Sequence, residues 1–303
     1  MANLFPRTKI DGLSVSRMII GTNWLLGYSH QTASKDRQIV ALATRKVMVD
    51  TLTAFLEAGV DTAMGPMKSN DPSGVHKEFG LAIQEAQDRT GKKLTLIGTP
   101  GLFLESGPEF PAKNEKILDD MAASGVSICM PHQSTTDACL DMVNRRFNRM
   151  PDFCKMIRDR GMIPGLSTHR PEAIIYADET GLDVATYISI YNAAGFLMPI
   201  EIDWIQKVIW GADRPVLTIK PMAAGRIPPL VGLAFSWSTI RAIDMVTVGC
   251  MSADEAKEVI EISLSVLERR GPQTQLQRTR SKASVERKAK VAPPASARKP
   301  KRK

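Results

Sequence analysis

The chain has 303 residues, 43% hydrophobic and 24% charged, the balance of a soluble globular protein with a substantial core that needs no disulfide or metal staple. No apolar run reaches the roughly 20 residues of a membrane helix, and the opening MANLFPRTKIDGL lacks the apolar centre of a signal peptide. The net charge of +8 belongs to the end of the chain, because eleven Lys/Arg and one acid, Glu286, fall between 271 and 303; the first 270 residues are slightly negative and do not have the composition of a nucleic-acid binder.

Cys129, Cys139, Cys154 and Cys250 show no CxxC spacing, which predicts free thiols and a cytoplasmic location. Two units are expected. Residues 1–270 form the globular part. Residues 271–303, rich in Lys, Arg, Pro and Ala and without aromatics, cannot bury enough surface to offset their ordering entropy and are expected to be a disordered tail. Its charge allows weak contact with nucleic acid or an anionic surface; a solubilising extension is the plainer alternative.

Eight apolar or β-branched runs read as strands: 17–23 (RMIIGTN), 59–63 (GVDTA), 94–100 (LTLIGTP), 125–132 (GVSICMPH), 162–169 (MIPGLSTH), 185–192 (ATYISIYN), 215–221 (PVLTIKP) and 245–251 (MVTVGCM). Helical periodicity falls between them, at 44–59, 74–91, 137–160, 171–181, 200–211, 230–242 and 253–269. Eight such units in about 250 residues predict an α/β fold, a (β/α)₈ TIM barrel. A doubly wound open sheet is the alternative, but GTNWLLG after the first strand is not the GxGxxG turn expected there.

In a barrel the polar residues at strand ends meet at one mouth. Read in order they are Asn23 with His30, Asp61, Thr99, His132, Ser167 with His169, Tyr191 with Asn192, Lys220, and Thr247 with Cys250. His76 lies in a helical pattern beside Lys77 and Glu78 and reads as a surface residue. Lys220 has two open roles: a charge partner for Asp61, or a Schiff-base nucleophile if burial lowers its pKa. Ser252 and Glu255 have capping-box spacing at a helix start that also suits a phosphate, with Arg226 before it and Lys257 a turn along.

Over about residues 8–265 the chain resembles the aldo-keto reductase superfamily. The matching segments are LSVSRMIIGT, GVDTA, GLSTHRPEAI, ISIYNAAG, TIKPMAAGRI and VTVGCMSADEAKEVIE, in the family's order. The resemblance implies a small carbonyl or alcohol as substrate, NADP(H) as cofactor, and catalysis by an Asp, Tyr, Lys and His set. Asp61 and His132 match two of the four. Pro66 stands where the tyrosine is expected, and Pro100 follows Thr99 where the lysine is expected. Tyr28, Tyr191, His30 or His132 are the candidates for a replacement proton donor. Ser167 and Asn192 would hold the nicotinamide carboxamide beside His169, and Arg226, Ser252 and Lys257 the adenosine phosphate. Two other functions stay open: a metal-dependent hydrolase or lyase using His30, Asp61, His132 and His169, and a barrel that has lost its chemistry.

Overall fold

A computed structural model of the chain describes residues 4–67 and 74–285. The chain divides into two compact units, 1–272 and 273–303. The described part of the second contains a 3₁₀ turn at Arg280–Val285, and residues 286–303 of the expected disordered tail lie outside the described residues.

The first unit opens with a hairpin, β1 (Arg7–Ile10) and β2 (Leu13–Ser16), followed by β3 (Met18–Gly21), β4 (Thr62–Gly65), β5 (Thr95–Gly98) and β6 (Val126–Cys129). A second hairpin is β7 (Leu140–Asp141) with β8 (Arg146–Phe147), and then come β9 (Ile163–Pro164), β10 (Leu166–Ser167), β11 (Tyr187–Ile190), β12 (Val216–Ile219) and β13 (Met245–Gly249). The helices are α1 (Ala33–Leu42), α2 (Arg45–Glu57), α3 (Val75–Thr90), α4 (Glu109–Ala123), α5 (Gln133–Thr136), α6 (Met150–Arg158), α7 (Glu172–Thr180), α8 (Ile202–Gly211), α9 (Pro229–Thr239) and α10 (Ala253–Leu267).

The large sheet runs β10-β11-β12-β13-β3-β4-β5-β6-β9, and every pairing in it is parallel. Its two ends, β9 and β10, are consecutive pieces of one strand joined by Gly165. The Gly165 amide donates to Cys129 O (3.1 Å) and the Leu166 amide to Thr186 O (3.1 Å), so the strand bonds to both neighbours and closes the ring. A Cβ at 165 would lie 2.9 Å from both Met130 Cε and Thr186 O, so the closure requires glycine. The fold is a (β/α)₈ barrel.

Two apolar layers stabilise it. Ile19, Ile97, Ile128, Ile188 and Leu217 fill the barrel, joined from below by Ile10 and Val15 of the first hairpin. Between barrel and helices, α2 is representative. Met48, Val49, Leu52, Phe55 and Leu56 are buried at helical spacing, the Thr44 hydroxyl accepts from the Val47 amide, and Gly59 at φ 79° turns the chain after it. Burying each such side chain contributes about 1.5–3 kcal/mol.

The expected elements shift in three places. β3, the first barrel strand, is followed by two helices, so α1 adds one, and α4 fills a stretch where no helix is expected. Residues 137–160 are not one helix: β7 and β8 interrupt them, and α6 starts only at Met150. His76 is buried on the inner face of α3, because the residues three and four positions apart on that face pack inward with Phe79 and Ile83.

Candidate functional site

The C-terminal ends of the barrel strands open onto a cavity of about 1130 Å³. Small residues keep its floor open. A Cβ at Gly65 would fall 1.9 Å from Thr22 Oγ1, and that hydroxyl is itself committed to Met64 O (3.0 Å). Glycine at the end of β4 is therefore what lets Thr22 sit there.

His30, His132, Ser167, His169, Lys220 and Arg226 line the cavity. Lys220 directly follows β12 and His30 lies in the loop after β3. Both are in left-handed backbone, φ 62° and φ 57°. Non-glycine residues there carry strain on the order of 1–3 kcal/mol that the surrounding structure must offset. One of the surrounding ties is Gln31 Nε2, which donates to Ala224 O (2.6 Å) and links the two loops.

Lys220 Nζ stands 3.5 Å from His30 Nε2, and Asn23 Nδ2 donates to the same nitrogen at 2.9 Å. Among the described residues no carboxylate forms an ion pair with Lys220. Burial pushes its amine down to about 8. Burial and then the Lys220 charge lower His30, against a smaller opposing pull from Asp36. His169 is pushed down to about 4, mainly by burial, then by Lys220, His132 and His30. The mouth thus holds an amine whose pKa is brought toward neutrality, beside two imidazoles, His30 and His169, whose charged forms are disfavoured.

Five candidates lie elsewhere. Asp61 comes before the first residue of β4, at the end of the barrel opposite the mouth, where it pairs with Arg7 of β1 (2.7 Å). The expected strand ended at 63, but the real one ends at Gly65, and this slip moves the carboxylate from mouth to base. Lys220 therefore cannot be its charge partner, and the four-residue metal set does not converge; among the described residues no three metal-ligating side chains do. Tyr191 points to the outer layer, as alternation from Tyr187 dictates, and stacks against Phe235 of α9 (centroids 4.9 Å). Asn192 ties its own loop: Oδ1 accepts from the Ala194 and Phe196 amides and Nδ2 donates to Phe196 O.

Ser252 caps α10 by accepting from the Glu255 amide (3.2 Å), while Glu255 Oε2 accepts from the Met251 amide (2.7 Å). With Asp254 and Glu255 in the first turn, that helix end is already supplied with negative charge. Neither Ser252 nor Lys257 lines the cavity.

Sequence reasoning missed Asp137, just after α5. It accepts from the Thr168 hydroxyl (2.5 Å) and the His169 amide (3.2 Å), fixing the turn that presents His169. Burial raises its carboxyl despite those hydrogen bonds. It was hidden inside a segment with helical pattern. Trp24 and Asp36 at the cavity wall were also missed.

No protein-family model and no curated protein sequence matches the chain. Among solved structures it is similar to a candidate aldo-keto reductase from Pseudomonas aeruginosa at 13% identity and TM-score 0.62, over 88% of this chain and 98% of that one. A truncated 3-deoxy-D-arabino-heptulosonate 7-phosphate synthase from Thermotoga maritima is similar at 11% identity and TM-score 0.51, over 88% and 93%. These likenesses show the barrel fold alone. The relation to the aldo-keto reductases is one of fold.

Proposed function

We propose that the chain is a divergent, aldo-keto-reductase-like oxidoreductase that reduces a small carbonyl compound with NADP(H), and that Lys220 supplies the proton in place of the missing tyrosine. The observation that carries this reading is the Lys220–His30 contact at the barrel mouth. The likeness in fold to the Pseudomonas protein supports it.

Bound at the mouth, the nicotinamide would supply hydride to the carbonyl carbon. The remaining task is to protonate the alkoxide. An ammonium with a pKa of about 8 is near the best match for a general acid at neutral pH. His30 Nε2, 3.5 Å from Nζ and sharing its one lone pair with the closer Asn23 amide, helps to orient it. The residues fit a nucleotide phosphate at Arg226, whose guanidinium lies 4.0 Å over the Phe196 ring and donates to Ala223 O, with no acid paired to it among the described residues. The start of α10 fits one less well, for its acids would repel it. Ser167 and His169 stand at the mouth for the carboxamide.

NADPH fluorescence titration and aldehyde-dependent NADPH oxidation test this. Micromolar-range binding, with turnover lost in Lys220→Met but binding kept, is the expected result. Absence of binding up to millimolar cofactor removes the reading.

A further inference from the structure

A second chemistry is available to Lys220 when it is unprotonated. We propose that the Lys220 amine captures a small aldehyde or ketone as a Schiff base within the mouth cavity. This rests on the preceding reading only in taking a carbonyl compound as the ligand; it needs no nicotinamide.

Three features of the geometry converge on it. The amine projects into a cavity large enough for a small organic molecule beside it. No carboxylate among the described residues holds it as an ion pair, whereas exposed lysines such as Lys46 and Lys155 are engaged with Asp50 and Asp159. Finally, an imidazole nitrogen sits 3.5 Å from Nζ, within reach to pass protons. The charged and titratable groups that line the cavity with the amine are Tyr28, His30 and Asp36 after β3, His132 after β6, His169 after β10, Arg226 after β12 and Glu255 on α10. The two acids are committed elsewhere, Asp36 to Ser29 and Glu255 to the Met251 amide. Burial lowers the amine to about 8, so a useful fraction is neutral near pH 7.5.

The step balances without an added redox partner. The nitrogen lone pair forms a C–N bond and the carbonyl π electrons move to oxygen. A proton passes from nitrogen to that oxygen through His30 Nε2, giving a carbinolamine. A further proton from solvent then lets the C–O bond break, and water leaves with the nitrogen lone pair closing the C=N bond. The product is a protonated imine on Lys220.

The test is reductive trapping of the full chain with propanal and sodium cyanoborohydride at pH 7.5, without NADPH, read by peptide mass mapping. The expected result is a propyl adduct on Lys220 forming about tenfold or more faster than on the typical lysine of the same chain, since the neutral fraction is larger by roughly two orders of magnitude and lower basicity returns part of that advantage. Lys220→Arg, which keeps the charge but cannot attack, should lose that fast adduct with an unchanged circular dichroism spectrum. His30→Gln should slow capture about tenfold while Lys220 remains the labelled residue. Labelling of Lys220 no faster than that of other lysines in the wild-type chain overturns the proposal, whatever the variants do. A chain that traps propanal but neither binds nor oxidises NADPH keeps this inference and loses the reductase reading; the converse loses only this inference.

Discussion

Lys220 and His30 come from loops 190 residues apart in sequence and meet at 3.5 Å, each in left-handed backbone. Among the described residues neither forms an ion pair with a carboxylate, and burial with the Lys220 charge outweighs the pull of Asp36 on His30, so the charged state at the mouth is raised in energy. Four expected outcomes follow from this contact and its surroundings.

Lys220→Met should stabilise the fold while removing the reactive amine. The wild-type amine is lowered to about 8, so below that pH the native state carries a partly buried charge that the unfolded chain solvates freely. The unfolded chain binds more protons than the native one between about pH 8 and 10.5, and wild-type stability therefore rises with pH across that window. Urea unfolding should show the variant more stable by about 1–2 kcal/mol at pH 7, with the gain shrinking toward pH 10.5. A loss of stability at pH 7 would contradict the burial of an amine that has no carboxylate partner among the described residues.

His169 has the same sign on the acid side. Its folded pKa, pushed down to about 4, lies below the ordinary value near 6.5. As pH falls from about 6.5 to 4 the unfolded chain takes up a proton that the native ring refuses, and stability is lost over that window. His169→Phe should flatten this limb by about 1–2 kcal/mol. Proton NMR of the wild-type ring should show no titration above about pH 5.

Asp61→Asn should leave ligand binding at the mouth unchanged. The residue pairs with Arg7 at the base, where both side chains are partly exposed, and such pairs contribute at most about 1 kcal/mol. Urea unfolding and the NADPH titration check the two halves. An abolished reaction with intact stability would return Asp61 to the site.

Gly65→Ala should cost about 1–3 kcal/mol, since the new methyl meets Thr22 Oγ1 at 1.9 Å. Adding Thr22→Ala should recover only part of the loss, because Thr22 Cβ would still stand 3.2 Å away. Thermal unfolding of the two variants measures this.

The alternation of buried runs and helical segments was enough to predict the barrel, because strands covered on both faces must be apolar almost throughout. Helix ends were equally legible where they depend on a local signal, as at Thr44, Gly91 and Ser252. The site was legible only in part. Strand periodicity fixes which residues share a face but leaves an end uncertain by a residue or two. At β4 that uncertainty decided whether Asp61 faces the mouth or the base. At β11 alternation sent Tyr191 outward to Phe235.

What the sequence determined by itself is the repeat of strand and helix, the chemistry of the side chains near the strand ends, and the charge imbalance of residues 271–303. The tertiary structure alone decided which of those side chains meet. Lys220 lies beside His30 because β12 and β3 are both neighbours of β13 in the closed ring and Gln31 ties their loops together. The lowered pKa of the amine follows from that burial, a property of the surrounding fold that no residue carries in its own neighbourhood along the chain.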